Sequence, residues 1–489
     1  MAYLIEGKTG KWEVVIGLEV HCQIVSNAKL FSSSSTKFGS EPNSNVSYID
    51  MAFPGVLPRV NKFCVEQAIK TGLALNGKIN LVSYFDRKHY FYPDSPFGYQ
   101  ISQFYTPIVE NGYMNIKLEN GDNKKIHIER IHIEQDAGKL LHEHHPNKSF
   151  IDLNRAGVGL MEIVSKPDMR SKEEASMYVN NLRTLVKYIG SCDGNMEEGS
   201  MRCDINVSVR KPGEKLRTRV EIKNVNSIKF LQQAIDYETH MQIDAWENGL
   251  EVSQETKLFN PSSGKTYTLR KKEEAGDYRY MRDPDLLPLV LSDEEVKNIH
   301  NSLPELPQAK CDRYVNDFGL NFEESYLLSS DKDYVNYFEA VVENQKKDLI
   351  NIKMIANWIT TNLFAYLNKD NVAISNSNIS PSNLAKLIDL IVDNTISSKI
   401  AKEVFEEMWN TSKNPEDIIK HKGLQQITDV SQIQSVIDNL VKNNQDKANE
   451  IKLGKEKLLG WFVGQIMKET SGKANPEIVN DLLKKKILE

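Results

Sequence analysis

The chain has 489 residues, of which 40% are hydrophobic and 26% are charged, as in ordinary globular proteins. Its formal net charge of −6 excludes a protein that coats nucleic acid through bulk positive charge, so any RNA would be held by local basic patches. No apolar run approaches the roughly 18 residues of a membrane span, and the N-terminus is too short and too polar for a signal peptide. Five cysteines without a CxxC pair favour a reducing, cytoplasmic location.

The first long predicted element is a β-strand in the stretch WEVVIGLEVHCQI, residues 12–24. Every second residue from Val14 to Ile24 is apolar, which predicts one face buried in a core. Glu19 and His21 lie side by side on the opposite face, where they could ligate a cation or hold a water. On these residues alone an ordinary solvated face is the favoured interpretation, because charged residues are mostly exposed.

The stretch YFDRKHYFYPDSPFGYQISQ, residues 84–103, interleaves aromatic side chains with Arg87, Lys88 and His89. Aromatic stacking combined with positive charge is how proteins hold splayed nucleotides. A packed aromatic corner is the alternative, and composition alone favours it.

A second candidate strand, residues 126–139, contains the pentads IHIER and IHIEQ. Because they are offset by five residues, a regular strand would turn their histidine–glutamate pairs to opposite faces. A bulge near Arg130 would put both pairs on one face. His132, Glu134 and Asp136 would then crowd the end of the strand, and a functional site and a solvated surface are equally favoured there.

The stretch CDINVSVRKPGEKLRTRVEIKN, residues 203–224, predicts a hairpin that turns at Pro212-Gly213. A symmetric turn would place Asp204 opposite Glu221, and facing like charges are destabilising unless a cation lies near them. The register stays open, because Pro-Gly favours a type II turn that does not suit a tight hairpin.

Short strands interrupted by helical patterns predict an α+β fold, with mostly antiparallel pairing, up to about residue 290. The apolar spacing then becomes helical, and Ser292 with Glu295 resembles a capping box. Ser380-Pro381 offers an N-cap followed by a first-turn proline, and residues 410–417 read as a linker. We predict a mostly antiparallel-sheet domain over residues 1–290, followed by all-helical domains over residues 291–409 and 410–489.

Long motifs run along essentially the whole chain: IGLEVHCQI, FGSEPNSN, PGVLPRVN, FDRKHYFYPDSPFGYQISQ, HIEQDAGK, IDLNRAGVGLMEIVSKPD, MEEGSMRCDINVSVR, EIKNVNS, DYRYMRDPDLLPL and GKANPEIVNDLL. Together they resemble one family closely, the B subunits of the aspartyl/glutamyl-tRNA amidotransferases. That family has a cradle domain, a helical domain and a tail domain, a division that agrees with the boundaries predicted above.

The resemblance implies an ATP-dependent ligase reaction on mischarged tRNA. In the family's heterotrimer, the amidase, or A subunit, releases ammonia from glutamine, and a small C subunit wraps the pair. The B subunit phosphorylates the side-chain carboxylate of Glu-tRNA(Gln), Asp-tRNA(Asn) or both, and ammonia then displaces phosphate. No membrane partner is implied. A non-catalytic tRNA-binding scaffold of the same complex is the alternative function.

The resemblance also assigns residues by motif. It implies that His21, Glu134 and Glu162 are metal-site groups for the Mg²⁺ that serves ATP. Hard Mg²⁺ prefers carboxylate oxygens and keeps waters, so Glu134 and Glu162 suit it. An imidazole is an unusual ligand for Mg²⁺, so His21 would either bind a water of the hydrated ion or select Mn²⁺.

A second group of catalytic residues, Glu19 and Asp204, is implied near the exit of the ammonia. Arg202, Arg219 and Lys223 are the expected contacts to phosphate. No covalent nucleophile is required, because ATP activates the substrate.

Two expectations concern regions outside this site. Some members of the family hold zinc with cysteines at the positions of Ser32, Ser34, Ser47 and Asp50, and serine is a poor zinc ligand, so no structural zinc is expected. The lysine run 484–486 predicts that the tail domain touches tRNA, the alternative being a solvated terminal helix.

Overall fold

The computed structural model describes residues 4–118, 121–142, 145–271, 278–424, 430–452, 457–470, 474 and 476–488. The chain divides into two compact units, Met1–Leu306 and Pro307–Glu489. Among the residues that the structure describes, no helix is both long and apolar enough to cross a membrane.

The first unit combines many strands with a few helices. Its strands are β1 (Leu4–Gly7), β2 (Gly10–Gln23), β3 (Lys78–Ile79), β4 (Val82–Ser83), β5 (Asp86–His89), β6 (Tyr99–Ser102), β7 (Val109–Lys117), β8 (Asn123–Gln135), β9 (Lys139–Leu141), β10 (Phe150–Asp152), β11 (Gly159–Ser165), β12 (Met201–Arg210), β13 (Val220–Val225), β14 (Glu255–Asn260), β15 (Lys265–Lys271), β16 (Met281–Arg282) and β17 (Leu289–Val290). Its helices are α1 (Lys62–Ala74), α2 (Lys172–Tyr188), α3 (Ile228–Glu247) and α4 (Asp293–Asn301).

One large sheet organises this unit, in the order β15-β14-β13-β12-β2-β11-β8-β7-β3, with β1 paired to β2. Every described pairing in it is antiparallel except that of β13 with β14. The predicted α+β fold, with a mostly antiparallel sheet before a helical region, is therefore confirmed.

Strand β2 lies in the middle of the sheet because one of its faces is continuously apolar. Val14, Ile16, Leu18, Val20 and Cys22 are all buried in the main core, together with side chains of α1, α2 and α3. Full burial of an aliphatic side chain contributes about 1.5–3 kcal/mol, so this face anchors the strand. The helices cover only the apolar side, and the other side of β2 carries the polar residues.

A bulge in β8 moves its later residues to the polar face. Along β11 the pairing partner jumps from Arg130 to Ile128, so Glu129 is skipped. Core burial changes from even to odd positions at this point, since Ile128 and Ile131 both enter the core. The predicted bulge near Arg130 is confirmed, and it turns His132 away from the core.

The connection between β12 and β13 differs from the predicted tight hairpin. Residues 211–219 form a longer loop, in which Pro212-Gly213 makes only a local turn. Glu221 pairs with Asn206, so the expected pairing with Asp204 is wrong. The physical reason is that a Pro-Gly turn does not match the twist of a two-residue hairpin, and the longer loop shifts the register.

The second unit is helical among its described residues. It contains α5 (Pro307–Asn316), α6 (Phe322–Ser329), α7 (Lys332–Asn344), α8 (Ile352–Asn357), α9 (Phe364–Asp370), α10 (Pro381–Val392), α11 (Ser398–Thr411), α12 (Pro415–Lys422), α13 (Val430–Asn443), α14 (Gln445–Lys452), α15 (Lys457–Glu469) and α16 (Pro476–Leu488). A π-helix, Trp358–Leu363, joins α8 to α9, and short 3-10 helices lie at Lys347–Leu349 and Ile374–Asn376. One core runs from Tyr314 to Ile419 and a separate one from Ile433 to Ile487.

Two predicted helix starts are confirmed. Ser292 and Glu295 form a reciprocal capping box at α4, which lies within the first unit. Ser380 caps α10, and Pro381 is its first residue. The domain boundaries at 290 and 410 stay predictions.

Candidate active site on the polar face of the sheet

A cleft of about 570 Å³ lies over the polar face of the central strands. All of the site residues expected from the sequence line it: Glu19, His21, Glu134, Glu162, Arg202, Asp204, Arg219 and Lys223. The structure therefore brings together residues from five separate strands or strand ends, and the role of each stays a prediction.

Strand register explains why these side chains meet. Glu162 pairs directly with His21 on one side and with His132 on the other. Arg202 also pairs with His21, across the strand's other edge. Directly opposed residues point to the same face of a sheet, so a single polar row crosses β12, β2, β11 and β8.

The His21 triad, by which we mean His21, Glu134 and Glu162, has the donor set of a cation site. One ligand atom from each residue lies within 4.8 Å of the others. His21 Nδ1 is 3.6 Å from Glu134 Oε1. Two nearly buried carboxylates beside an imidazole fit a hard divalent cation that keeps part of its water shell.

Neighbouring charges control the protonation of the triad. Burial alone would raise the pKa of Glu162, but the charge and hydrogen bond of His132 lower it to about 2. Burial would likewise raise the pKa of Glu134, and contacts with His132 and His21 hold it well below the usual value. For His21 burial acts downward, yet the hydrogen bond to Glu134 and nearby carboxylates raise its pKa to about 9. The cleft thus keeps both glutamates ionised.

A second set of charges, the Lys223 group, lies next to the triad and comprises Glu19, Asp204, Glu221 and Lys223. Lys223 Nζ is 2.7 Å from Asp204 Oδ2 and 3.3 Å from Glu221 Oε1. Asn206 donates to Glu19 Oε1 at 2.9 Å. Facing carboxylates need a cation near them, and Lys223 is that cation for Asp204 and Glu221. The two carboxylates share this lysine although they are not paired across the strands as the symmetric turn would have placed them.

The pKa of Glu19 is raised, first by burial and then by the negative charges of Glu162, Asp204 and Glu221. Burial would lower the pKa of Lys223, but Asp204 and Glu221 raise it, so the ammonium is firmly protonated. The raised pKa suits Glu19 to accept a proton.

Arg202 is less available for phosphate than the sequence implied. Its Nη2 lies 3.1 and 3.0 Å from the two carboxylate oxygens of Asp136. Gln23 also donates to Asp136, at 2.8 Å. Arg202 Nε is buried and makes no hydrogen bond within the described part of the chain. Arg219 stands exposed at the edge of the cleft.

The cleft also contains residues that were not among the expected site residues. His132 lies between the two glutamates, at 3.5 Å from Glu134 Oε2 and 3.4 Å from Glu162 Oε2. Lys88 lines the cleft with its Nζ 4.9 Å from the centre of the Tyr278 ring. The alternation of aromatic and basic residues in 84–103 was the signal for Lys88, and the second pentad was the signal for His132.

An aromatic wall closes one side of the cleft. The rings of Phe104 and Tyr280 stack with centroids 4.0 Å apart and an interplanar angle of 13°. Arg87 ties the segment that carries Tyr280 to β5, because its guanidinium lies 2.8 Å from Asp283 Oδ2. Rings of the stretch 84–103 pack against one another, as Phe97 and Tyr99 do with centroids 5.4 Å apart, whereas the rings that line the cleft lie outside that stretch. Nucleotide binding by the stretch stays a prediction.

The four positions at which some relatives carry zinc-binding cysteines lie together outside the cleft. With Lys29 they form what we call the Lys29 group: Lys29, Ser32, Ser34, Ser47 and Asp50. Lys29 Nζ lies 3.3 Å from Asp50 Oδ2, and both side chains are buried. Ser32 and Ser47 each donate a hydroxyl to Asp50, at 2.9 Å. Ser34 contributes backbone groups: its carbonyl accepts from the Lys29 amide at 3.1 Å, and its amide donates to Ser32 Oγ at 3.4 Å. The absence of structural zinc stays a prediction.

Fold and site together define a class of enzyme domain. In this class one face of a mostly antiparallel sheet presents carboxylates and imidazoles to a cleft that basic and aromatic residues also line. Residues 14–297 match the family model described as the GatB/GatE catalytic domain. Residues 336–487 match the model described as the GatB domain.

Full-length relatives carry the same assignment. A Rickettsia rickettsii protein, named as the B subunit of an aspartyl/glutamyl-tRNA(Asn/Gln) amidotransferase, is 56% identical over 487 residues, which cover 100% of both chains. Proteins of the same name from Rhodospirillum rubrum (53% identical over 489 residues, 100% of both chains) and Rhodopseudomonas palustris (53% over 484 residues, 99% of this chain and 98% of the relative) agree. The chain belongs to the family of aspartyl/glutamyl-tRNA(Asn/Gln) amidotransferase B subunits, as its motifs predicted.

Proposed function

We propose that this chain is the subunit of a tRNA-dependent amidotransferase that activates and amidates the side-chain carboxylate of Glu-tRNA(Gln), Asp-tRNA(Asn) or both, at the expense of ATP. The observation that carries the proposal is the convergence of Glu19, His21, Glu134, Glu162 and Asp204 in one cleft. The names of the full-length relatives support the same reaction.

The reaction needs activation because a carboxylate is a poor electrophile. Transfer of a phosphoryl group to it creates an acyl phosphate, whose phosphate is a good leaving group. His21, Glu134 and Glu162 would hold Mg²⁺, which when bound supplies charge neutralisation and orientation for the phosphates of ATP. Because the glutamates are ionised in the cleft, they are ready to act as ligands.

Basic residues around the cleft would orient the phosphates. Burial would lower the pKa of Lys88, but the charges of Glu134 and Glu162 help to raise it, so Lys88 keeps its ammonium form. It therefore offers a positive charge across the cleft from the triad. Arg219 at the edge and Arg202, which lines the cleft beside Asp136, complete a set of cations that suits a polyphosphate.

Glu19 is the proposed acceptor for the proton that ammonia loses as it attacks. Asn206 orients one of its carboxylate oxygens, and the raised pKa makes Glu19 a stronger base than an exposed glutamate. Lys223 would hold the neighbouring Asp204 and Glu221 in place without competing for that proton.

The partners belong to the same proposal. An amidase, the A subunit, would supply ammonia, and a small C subunit would complete a heterotrimer in the cytoplasm, where aminoacyl-tRNA is used. The last helices, α13 to α16, are the proposed tRNA-binding tail. Lys484 and Lys485 are exposed there, while Lys486 pairs with Asp438 at 2.8 Å.

The direct test is Glu134→Ala in the complex assembled with the A and C subunits. We expect glutaminase activity to persist, because it resides in the amidase, while amidated aminoacyl-tRNA falls by orders of magnitude. Phosphate release from ATP, triggered by mischarged tRNA, should fall equally. Normal amidation by this variant would refute the assignment, and an unmutated complex without triggered phosphate release would favour a non-catalytic scaffold.

A further inference from the structure

His132 occupies a position that none of the expected roles explains. Its side chain is only 6% exposed, against 18% for His21, so it lies deeper than the histidine of the triad. Its Nε2 points at one oxygen of Glu134 and one oxygen of Glu162. Its Nδ1 makes no hydrogen bond within the described part of the chain.

The two oxygens of Glu134 have different environments. Oε2 receives a hydrogen bond from Ser102 Oγ at 3.2 Å and also faces His132 Nε2. Oε1 faces His21 Nδ1, on the side of the triad. One oxygen is thus held by the protein's own donors, and the other is turned toward the place where a cation would bind.

Without a donor between them, the buried carboxylates of Glu134 and Glu162 would repel each other and separate. A single imidazole that contacts an oxygen of each residue holds the two side chains at a fixed spacing. Residues that orient ligands in this way commonly change metal affinity by about 10–100-fold when they are removed.

We propose that His132, assisted by Ser102, is a positioning residue that presets Glu134 and Glu162 for a divalent cation. The inference rests on the cation site of the proposed function and deepens it. His132 does not itself act as a ligand, because its Nε2 is directed at the two carboxylates and its Nδ1 lies buried on the far side of the ring. His21, which is the more exposed histidine, is the ligand of the set.

The test uses Mn²⁺ as the probe, without nucleotide, on the full chain in the assembled complex, with binding measured by electron paramagnetic resonance. His132→Phe keeps the ring but removes the donor, whereas His132→Gln keeps a donor but removes the ring. We expect Mn²⁺ to bind about 10–100-fold more weakly to the Phe variant, and the Gln variant to recover most of that loss. A residue needed only for packing would give the opposite order.

His127→Gln is the matched control. His127 lies on the same strand and contacts Asp168 at 2.8 Å, but its side chain is 51% exposed and does not line the cleft. Mn²⁺ affinity should not change in this variant, and thermal unfolding should report a folded protein in every case. If His132→Phe does not fold, Ser102→Ala decides, since the inference requires it to weaken Mn²⁺ binding.

The outcomes separate this inference from the proposed function. The cation site requires that the unmutated complex binds Mn²⁺ and that Glu134→Gln abolishes this binding. If either result fails, the cation site itself is refuted. If that binding exists but is equally tight in His132→Phe, or in Ser102→Ala where the Phe variant does not fold, the positioning role is overturned and the cation site stands.

Discussion

Two of the sets of buried carboxylates in the first unit are neutralised differently. In the Lys29 group, Asp50 is paired with a lysine and with serine hydroxyls. In the His21 triad, Glu134 and Glu162 face imidazoles. A lysine ammonium has no lone pair to offer a cation, whereas a protonated imidazole that gives up its proton becomes a ligand.

This contrast teaches that buried acidity by itself does not indicate a metal site. In the Lys29 group a lysine and two serine hydroxyls contact Asp50, and no residue of the group lines the cleft that holds the triad. The triad lies on the floor of the cleft of about 570 Å³ and has no lysine or arginine within 4.0 Å of Glu134 or Glu162 among the described ion pairs. The first set should serve stability and the second should serve binding, a difference that mutation can test.

The largest expected effect on stability is that of Asp50→Asn. It leaves the buried ammonium of Lys29 without its counter-charge, and breaking one partner of a buried pair costs about 3–5 kcal/mol. Thermal and urea unfolding of the purified chain should show the loss. Glu162→Gln is the matched change in the cleft, and it should cost less because His132, the partner left behind, still contacts Glu134. Similar losses in both variants would remove the contrast.

A cation should stabilise the chain only through the triad. At about 100 times its dissociation constant, a ligand that binds only the folded state adds roughly 2.7 kcal/mol. Mn²⁺ should therefore raise Tm in the unmutated chain and in Asp50→Asn, but not in Glu162→Gln. A Tm increase that persists in Glu162→Gln would place the binding elsewhere.

The tail should contribute to tRNA binding by charge rather than to catalysis. A deletion belongs after Leu424 rather than at 410, because Ile418 and Ile419 are buried in the second core. We expect weaker tRNA binding with intact glutaminase activity. In the full chain, Lys484→Gln with Lys485→Gln should lower the salt slope of binding by about 1 for each lysine–phosphate interaction that is removed. Unchanged affinity in both proteins would contradict the tail prediction.

The features of the cleft that depend on the local pattern of a single strand could be predicted from the sequence. The alternation from Val14 to Ile24 placed Glu19 and His21 opposite the core, and the odd offset of the pentads predicted the bulge near Arg130. Both are short-range properties of a strand, so they can be read without knowing its neighbours.

Features that depend on distant pairing could not be predicted. The offset between β12 and β13 is set by a loop of nine residues, 211–219, so Lys223 rather than Glu221 meets Asp204. Lys88 enters the cleft only because β5 pairs with β16, nearly two hundred residues along the chain. His132 could be read as part of an acidic cluster, but its contact with Glu162 requires the pairing of β8 with β11.

The smallest expected effect concerns a half-buried carboxylate, in contrast to the fully buried ones. Glu247 accepts hydrogen bonds from the Thr9 amide at 2.8 Å and from Trp12 Nε1 at 3.0 Å. These contacts, the Thr9 amide first, lower its pKa from 4.5 to about 2. Because the folded-state pKa lies below the unfolded one, the stabilisation is present above about pH 4.5 and is lost as the pH falls toward 2. Glu247→Gln should therefore lower Tm slightly at pH 7 and by a smaller amount at pH 3. A Tm difference that does not change with pH would show that the charge of Glu247 is not what holds this end of α3 to the β1–β2 turn.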